Sequence, residues 1–404
     1  MSKILDIIYF GDTKDINGVN LVNNLLLKGK NEFKKNNIYL RTIFSPNETI
    51  DCQTNESLEV GINIGTKKYK FNRIIRTILR ITMDSRIPIF AWYKFKKNFL
   101  IPSQKVINQN YDKFNSDYIL FQDIFTAYYY YKKSSEKRPK TILVLHCEKD
   151  IFAQFKLNFP GIFNSRYKKQ IEEIFYFTLN KVGKVVFVSK KSSAYNKLLL
   201  KNNDFVHNGI EDLPNFNFKS SNNNTINFVC VGTINYNKGQ EIIIEAFNLL
   251  PKKLKEKCNV YIVGDGPQAS ELKKTVTRYN LDKIIQFLGL RKDVSEILNN
   301  MDVLLLLSKT EGLPLSIIEG LRQGLYIIAT DVGGISEMID DGFGKLIERN
   351  PKKLAEEIKK ILEEDLLNEN SKKLSRDFFL NNFTLEKMIT KYSLLFKSME
   401  SDED

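Results

Sequence analysis

Residues 308–320, SKTEGLPLSIIEG, directly follow the apolar run 303–307. A short apolar run predicts a buried strand, so this stretch leaves the carboxyl end of a strand, where open α/β sheets bind their ligands. Pro314 suits the first turn of a helix, because its fixed φ fits there and its missing N–H costs nothing. The next N–H groups, of Leu315, Ser316 and Ile317, would be free at the positive end of the helix dipole. They predict a phosphate site.

Two glutamates, Glu311 and Glu319, stand eight residues apart in this stretch. Glu311 lies in the loop before the predicted helix and Glu319 lies inside it. One carboxylate can reach the sugar side of a bound nucleotide, while the other accepts hydrogen bonds from ribose hydroxyls. Gly312 lets the backbone approach a ligand closely. The spacing alone is common, but its position around a Gly-Leu-Pro helix start after a strand predicts a ligand site.

The stretch belongs to an alternation of strand-like and helix-like segments, which predicts parallel sheets with crossover helices. In the C-terminal half the expected strands are 226–231, 260–263, 284–288, 303–307 and 325–329, with helices such as 240–250 and 268–279 between them. In the N-terminal half they are 4–10, 118–121, 141–145 and 185–188, with a helix at 18–27. A doubly wound domain is the expectation for the C-terminal half.

The alternation pauses in a polar, turn-rich stretch that contains Pro214 and the run 220–225. We therefore expect two α/β domains with a linker between them. The expected boundaries are 1–206 for the N-terminal domain, 207–226 for the linker, 227–380 for the C-terminal domain, and 381–404 for a C-terminal helix and tail.

Composition favours a soluble two-domain protein, since 42% of the 404 residues are apolar and 27% are charged. No apolar run reaches the roughly 18 residues that span a bilayer. Residues 1–10 lack a cationic segment followed by a cleavage site, so we expect a cytoplasmic protein. The four cysteines, Cys52, Cys147, Cys230 and Cys258, form no C-x-x-C pair, so neither a zinc site nor a disulfide framework is expected.

The formal net charge of +13 is concentrated in residues 66–97, which hold ten basic residues and one acidic residue, Asp84. Arg73, Arg76 and Arg80 recur there at helical spacing among apolar residues. Such a helix either lies on an anionic bilayer or packs its apolar face into a domain core, and the pattern leaves both open. Nucleic acid is not an expected partner, because no RNA- or DNA-reading motif accompanies the charge.

Several segments of the C-terminal half resemble the motifs of one family. Residues 308–320 resemble the signature of retaining glycosyltransferases of family 4, which have the GT-B fold. The segment 231–239 resembles that family's strand–Gly–basic–Lys-Gly motif, and 263–267 its second glycine-rich turn. The segments 287–294 and 330–337 resemble the loop that holds the base and the last turn of the pattern. The implied fold is GT-B, two Rossmann-like domains facing across a cleft, with the C-terminal helix returning to the N-terminal domain.

The resemblance implies that the N-terminal domain binds the acceptor and the C-terminal domain binds the nucleotide sugar. Lys238 would contact the donor diphosphate, Glu311 the transferred sugar and Glu319 the ribose. The residues implied for donor binding are Gly18, Gly232, Thr233, Lys238, Gly264, Leu290, Arg291, Glu311, Gly312, Leu313, Leu315, Ser316 and Glu319, and those implied for catalysis are His146, Glu311 and Lys238. Gly264 is equally compatible with a tight turn. Thr233 stands where the family usually has arginine, so half of the usual cationic clamp is absent or supplied elsewhere.

The resemblance is thinner in the N-terminal half. Gly18 follows Asn17, where the family has a second glycine, and its amide would approach the donor phosphates. His146 follows the expected strand 141–145, where the family carries a histidine near the reacting sugar. A structural histidine at a strand end is the alternative. No metal is expected, because the one D-x-D motif is at 402–404, in the C-terminal tail.

These resemblances imply a retaining, metal-independent enzyme that moves a hexose or N-acetylhexosamine from a nucleotide diphosphate, expected to be UDP, without a cofactor. The implied acceptor is a glycan or a lipid-linked precursor of a cell-surface polysaccharide. Residues 66–97 would dock the enzyme peripherally on the inner face of the membrane. The alternative is a catalytically silent GT-B subunit that binds glycan or stabilises a partner glycosyltransferase. The site would be refuted if the chain itself occupied the N–H groups after Pro314.

Overall fold

The structure is a computed structural model that describes residues 2–11, 18–45, 49–52, 86–134, 139–148, 151–198, 200, 202–214, 216–218 and 225–401. The chain divides into two compact units. Unit 1 comprises Met1–Val206 and Met388–Asp404, and unit 2 comprises His207–Lys387. Each unit contains one sheet whose strands pair in parallel, apart from one antiparallel edge strand in unit 1.

Unit 1 contains a seven-stranded sheet in the order β3-β2-β1-β4-β5-β6-β7. Its strands are β1 (Lys3–Ile8), β2 (Ile38–Phe44), β3 (Thr49–Asp51), β4 (Tyr118–Phe121), β5 (Lys140–Leu145), β6 (Lys184–Phe187) and β7 (Asn203–Phe205). The apolar runs predicted at 118–121 and 141–145 are the inner strands β4 and β5. All four residues of β4 are buried, as expected for a strand inside a parallel sheet.

The helices of unit 1 connect these strands. They are α1 (Gly18–Lys28), α2 (Lys30–Lys35), α3 (Pro88–Phe95), α4 (Ile101–Asn110), α5 (Ile124–Lys133), α6 (Ala153–Asn158), α7 (Pro160–Phe163), α8 (Tyr167–Leu179) and α9 (Lys190–Asn196). A π-helical turn, Lys96–Leu100, joins α3 to α4. Aromatic side chains fill the core here, and Phe95 packs edge-on against Phe125 with ring centroids 5.3 Å apart.

Unit 2 contains a six-stranded sheet in the order β10-β9-β8-β11-β12-β13. Its strands are β8 (Ile226–Val231), β9 (Cys258–Val263), β10 (Ile285–Gly289), β11 (Val303–Leu306), β12 (Tyr326–Thr330) and β13 (Gly344–Ile347). Its helices are α10 (Gln240–Leu249), α11 (Lys252–Lys255), α12 (Ala269–Arg278), α13 (Val294–Leu298), α14 (Leu315–Arg322), α15 (Pro351–Glu363) and α16 (Glu369–Asn382). The chain then continues into the C-terminal helix α17 (Leu385–Ser401).

The strand order of unit 2 reverses between β8 and β11. From β8 the chain moves outward through β9 to β10, and it then returns to β11 beside β8 and moves outward on the other side. Ligands of doubly wound sheets bind at the carboxyl edge where the order reverses. The loops after β8 and β11 therefore border the expected ligand position.

The C-terminal helix α17 passes from unit 2 into unit 1 at Met388. Tyr118 donates its hydroxyl hydrogen to Glu400 Oε1 at 2.6 Å and stacks on Phe396 with ring centroids 4.5 Å apart. The prediction of two Rossmann-like domains of the GT-B class, with the C-terminal helix returning to the first, is confirmed.

Part of the segment expected to be a linker packs within unit 2. His207 Nε2 lies 2.8 Å from Glu337 Oε2, and Ile210 forms a parallel β-bridge with Thr384. Residues 219–224 of that segment lie outside the described residues. Across the described part of the chain, no helix combines the length and the apolar character needed to cross a membrane.

Candidate functional site

The predicted site residues of unit 2 lie in the loops that follow four neighbouring strands. Gly232 and Thr233 follow β8, Gly264 follows β9, Leu290 and Arg291 follow β10, and the residues from Glu311 to Ser316 follow β11. The parallel sheet therefore brings these residues to one edge, although they are separated by up to 84 positions in the chain.

The helix that follows β11 opens with two N–H groups that the protein does not use. Helix α14 begins at Leu315, and Pro314 precedes it with φ −71° and ψ 123°. Within the described chain, neither Leu315 N–H nor Ser316 N–H has an acceptor. Ile317 N–H donates to the Pro314 carbonyl oxygen at 3.2 Å. We expected Pro314 within the first turn of the helix and three free amides after it. Pro314 instead precedes the helix, and only the amides of Leu315 and Ser316 are free.

Lys238, predicted to contact the donor diphosphate, and Glu311, predicted to hold the transferred sugar, form an ion pair with each other. Lys238 Nζ lies 2.5 Å from Glu311 Oε1, and Ser308 Oγ donates to the same oxygen at 2.6 Å. An ammonium group has three N–H donors and a carboxylate has two oxygens. Lys238 therefore keeps two donors for phosphate oxygens, and Glu311 Oε2 remains able to accept from a sugar hydroxyl.

Two asparagines that were not predicted as site residues order the loop after β8, and one of them, Asn237, joins it to the loop after β11. Asn237 Nδ2 donates to the Thr310 carbonyl oxygen at 3.0 Å, and its Oδ1 accepts from Thr310 N–H at 3.2 Å. Asn235 Oδ1 accepts from the N–H of Lys238 at 3.2 Å. The backbone of Lys238 is thereby fixed relative to Glu311.

Glycines allow the loops at this edge to touch. A Cβ at Gly239 would lie 2.1 Å from the Leu307 carbonyl oxygen, and one at Gly264 would lie 2.0 Å from the Gly232 carbonyl oxygen. Both glycines also have positive φ, 77° and 137°, which other residues rarely adopt. The close approach of two backbones is thus sufficient reason for Gly264, whether or not it also contacts a ligand.

Glu319 lies on α14 without a hydrogen-bond partner among the described residues. Burial raises the pKa of its carboxyl group to about 7, and the nearby positive charge of Arg322 opposes that rise. The carboxyl group therefore changes its charge close to neutral pH, which makes it a pH-sensitive acceptor for hydroxyl groups.

Leu290, Arg291 and Thr233 are all exposed, but Arg291 and Thr233 also take part in hydrogen bonds within the protein. Leu290 is 41% exposed, and the exposed Arg291 is paired with Asp293 at 2.8 Å from Nε to Oδ1. The exposed Thr233 accepts a hydrogen bond from Gln240 Nε2 through its carbonyl oxygen at 3.2 Å.

Gly312 and Leu313 have their carbonyl oxygens occupied. The Gly312 oxygen accepts from Gly334 N–H at 2.8 Å, and the Leu313 oxygen accepts from Asn208 Nδ2 at 3.0 Å. Both bonds fix the loop that carries Glu311.

The two predicted residues of unit 1 lie at a helix start and at a strand end. Gly18 begins α1, and the preceding residues 12–17, including Asn17, lie outside the described chain. His146 follows β5, and its Nε2 lies 2.7 Å from Gln122 Oε1. Burial lowers the pKa of His146 to about 4, so its imidazole is neutral at physiological pH.

A cavity of about 530 Å³ opens at the carboxyl ends of β11, β12 and β13. Its walls include Ser308, Lys309, Asp331, Glu348 and Arg349. The cavity shares Ser308 with the Lys238–Glu311 pair, but neither Leu315 nor Ser316 lines it. The cavity could not be predicted from local sequence motifs, because its walls come from three separate loops.

No group of three His, Cys, Asp or Glu side chains suited to a metal ion occurs among the described residues, and the motif at 402–404 lies outside them.

Comparison with known proteins identifies one matching family model and several relatives of part of the chain. Residues 213–378, less than half of the chain, match the family model for group 1 glycosyl transferases. The N-acetyl-alpha-D-glucosaminyl L-malate synthase of Bacillus anthracis is 28% identical over 163 residues, 40% of this chain and 42% of that protein. The UDP-Gal:alpha-D-GlcNAc-diphosphoundecaprenol alpha-1,3-galactosyltransferase of Escherichia coli is 33% identical over 155 residues, 38% of each chain. The chain thus spans less than half the length of these two relatives.

Solved structures extend the likeness of fold to both units. The sucrose-phosphate synthase of Thermosynechococcus elongatus has a TM-score of 0.71 at 16% identity, covering 99% of this chain and 100% of that one. The two-sheet fold of this chain is therefore that of the GT-B class, and its residues 213–378 are similar to the group 1 glycosyl transferases.

Proposed function

We propose that the protein is a retaining glycosyltransferase of family 4. It transfers a hexose or N-acetylhexosamine from a UDP sugar to a glycan or lipid-linked acceptor in cell-surface polysaccharide synthesis. The observation that carries the proposal is the pair of unoccupied N–H groups of Leu315 and Ser316. These residues follow Glu311, which is paired with Lys238, by four and five positions in the chain. The Escherichia coli relative, whose name specifies a UDP-Gal donor and a diphosphoundecaprenol-linked acceptor, supports the choice of substrates.

The proposed chemistry follows from the charges at this edge of unit 2. Breaking the bond between sugar and diphosphate leaves negative charge on the diphosphate, and groups already oriented toward that charge lower the barrier. Lys238 and the two N–H groups supply them, so the proposal assigns no role to a metal ion. Glu311 Oε2 holds a sugar hydroxyl. Retention is assigned to attack from the face of the leaving diphosphate. The acceptor oxygen forms the new bond to the sugar as the bond to the diphosphate breaks, and the hydroxyl proton passes to the departing diphosphate oxygen beside it.

One observation favours the alternative of a catalytically silent GT-B subunit. Thr233 stands where the family usually supplies an arginine, so the diphosphate would meet one side-chain cation fewer. Slow hydrolysis of the donor distinguishes the two functions. The enzyme should release free sugar from one of the UDP, GDP, ADP or TDP sugars and be stabilised against heat by the same nucleotide. Thermal stabilisation without any hydrolysis would favour the silent subunit, and the absence of both would refute the proposal.

Donor binding should depend on the ionisation of Glu319. Its pKa of about 7 means that the carboxyl group is mostly protonated at pH 6 and mostly ionised at pH 8. Because a carboxylate is the stronger acceptor for two ribose hydroxyls, affinity for a UDP sugar should rise by up to about tenfold over this range. Calorimetric titration measures this rise, and Glu319→Gln should flatten it. An equal rise in the variant would contradict the assignment of Glu319 to the ribose.

The carboxyl group of Glu319 should also make the ligand-free protein less stable as pH rises, whereas donor affinity should increase. A pKa raised above the unfolded value means that the folded state binds the proton more tightly. The contribution of Glu319 to stability is therefore present at low pH and is lost as pH rises toward 7. Glu319→Gln should consequently raise the melting temperature of the ligand-free protein more at pH 8 than at pH 5.

We further propose that unit 1 docks on the cytoplasmic face of an anionic membrane. Only residues 86–97 of the basic segment 66–97 are described, and they continue into α4. Ile89, Tyr93 and Ile101 are at least 60% exposed there. Residues 86–110 contain five basic residues and no acidic residue. Exposed apolar side chains among cations are typical of helices that lie in a lipid interface.

Vesicle binding tests the docking surface. A basic residue near an anionic surface contributes about 1 kcal/mol, so replacing Lys96 and Lys97 with alanine should weaken binding about 10- to 30-fold. Binding of the native protein should also fall at high salt. The matched control replaces Lys252 and Lys253, an exposed pair in unit 2, and should bind normally. Equal losses in both pairs, or binding that does not change with salt, would refute the surface.

A further inference from the structure

Gln122 and His146 meet at the carboxyl edge of the sheet in unit 1. Gln122 follows β4 and His146 follows β5, and these strands pair in parallel with Phe121 opposite Leu143. Gln122 Oε1 lies 2.7 Å from His146 Nε2. The sequence analysis identified the histidine but not the glutamine beside it.

The glutamine is held in place on both sides. It is 2% exposed, and its backbone N–H donates to the Ile8 carbonyl oxygen at 3.0 Å. The next residue, Asp123, caps helix α5 by accepting from Phe125 N–H at 2.9 Å and Thr126 N–H at 2.8 Å. These bonds fix the backbone of Gln122, and the structure directs Oε1 of its buried side chain at the ring, whereas its Nε2 has no acceptor among the described residues.

This contact, with Oε1 as the amide atom that faces the ring, indicates which nitrogen of His146 carries the proton. A carbonyl oxygen only accepts hydrogen bonds, so the imidazole nitrogen facing it must be the donor. In a neutral ring with the hydrogen on Nε2, Nδ1 has a free lone pair. Among the residues that the structure describes, none donates to Nδ1.

We propose that Gln122 is a positioning residue that holds His146 as the Nε2–H tautomer, so that Nδ1 is presented to accept a hydrogen bond from a hydroxyl group of the sugar substrate. The role of Nδ1 toward substrate rests on the proposed glycosyltransferase function. The tautomer itself does not, because it follows from the contact between two residues of unit 1.

The chain contains only two histidines, His146 and His207, so its imidazole nitrogens give a simple spectrum. Long-range proton–nitrogen correlation NMR on protein labelled at histidine should show His146 at pH 7 as the Nε2–H tautomer. His207→Gln assigns the two rings. A His146 signal with the proton on Nδ1, or an even mixture of the tautomers, would overturn the proposal.

Two variants of Gln122 separate positioning from folding. Gln122→Met keeps the length and burial of the side chain but removes the acceptor, so the His146 signal should become a mixture of tautomers. Gln122→Glu keeps an acceptor and should retain the Nε2–H tautomer. If Gln122→Met leaves the tautomer unchanged while the circular dichroism spectrum and the melting temperature stay native, Gln122 does not position the ring. If it unfolds the protein, loss of the Nε2–H tautomer in Gln122→Glu would equally refute positioning.

Activity provides the second readout. Loss of one neutral hydrogen bond to substrate costs about 1 kcal/mol, so Gln122→Met should lower kcat/KM about fivefold, and Gln122→Glu should restore it. Binding of UDP should stay unchanged in both variants, because unit 2 carries the proposed nucleotide contacts. Unchanged kcat/KM in Gln122→Met would overturn the role of Nδ1. A native protein that bound no nucleotide would instead refute the proposed function and leave the tautomer result standing.

Discussion

Replacing Lys238 with alanine is expected to lower kcat for sugar transfer by about 100- to 1,000-fold, the usual cost of removing a preorganised group that stabilises transition-state charge. Lys238 is 2.5 Å from Glu311 Oε1 and retains two donors for the leaving diphosphate. KM for the donor should rise less than kcat falls, because the diphosphate gains charge as the sugar bond breaks. Steady-state kinetics with a saturating acceptor measures both.

Replacing Lys238 with alanine also leaves the carboxylate of Glu311 without its cation. The effect of the change on stability must therefore be separated from its effect on catalysis. Glu311 is only 11% exposed, so losing its cation should also lower the melting temperature. The double variant Lys238→Ala with Glu311→Gln removes that charge and should recover stability without recovering activity. Lys274→Ala, an exposed lysine on α12, is the matched single control and should behave as the native protein does. Activity that returns with stability in the double variant would show that Lys238 acts only on the fold.

The fold could be predicted largely because buried parallel strands are short apolar runs. Val303–Leu306 and Tyr326–Thr330 are completely buried. The first lies within the predicted segment 303–307, and the second extends one residue beyond the predicted segment 325–329. Strand β13 was not predicted, because Gly344–Ile347 is an edge strand in which three of the four residues, one of them a lysine, are half-buried. Its apolar pattern is too weak to separate it from a loop, and only pairing with β12 defines it.

The candidate site was predictable residue by residue but not as an arrangement. Lys238 and Glu311 were each assigned from local motifs, yet they are 73 residues apart, and no local pattern encodes their ion pair. Asn237 reads in the sequence as an ordinary turn residue. Its bonds to Thr310 exist only because the sheet places β8 beside β11. Sequence periodicity therefore predicts the strands, but it does not predict the contacts between the loops that follow neighbouring strands.

Replacing Leu315 with proline should weaken binding of UDP by about 10- to 100-fold, the cost of one hydrogen bond to a charged group. This change deletes a single backbone N–H, the first of the two that the protein leaves unoccupied at the start of α14. Proline suits the first position of a helix, and Pro314, with ψ 123°, already has the extended conformation that a following proline requires. The melting temperature should therefore change little.

Leu315→Ala is the matched control, since it removes the same side chain but keeps the N–H. Calorimetric titration of both variants with UDP isolates the contribution of the backbone group, because the two proteins differ by little else. The proline variant should bind more weakly than the alanine variant, and the difference should persist at high salt, since the lost contact is a direct hydrogen bond. Equal affinities would mean that the pyrophosphate does not contact this helix start. The site would then have to be sought elsewhere along the same edge, with the Lys238–Glu311 pair as its only remaining support.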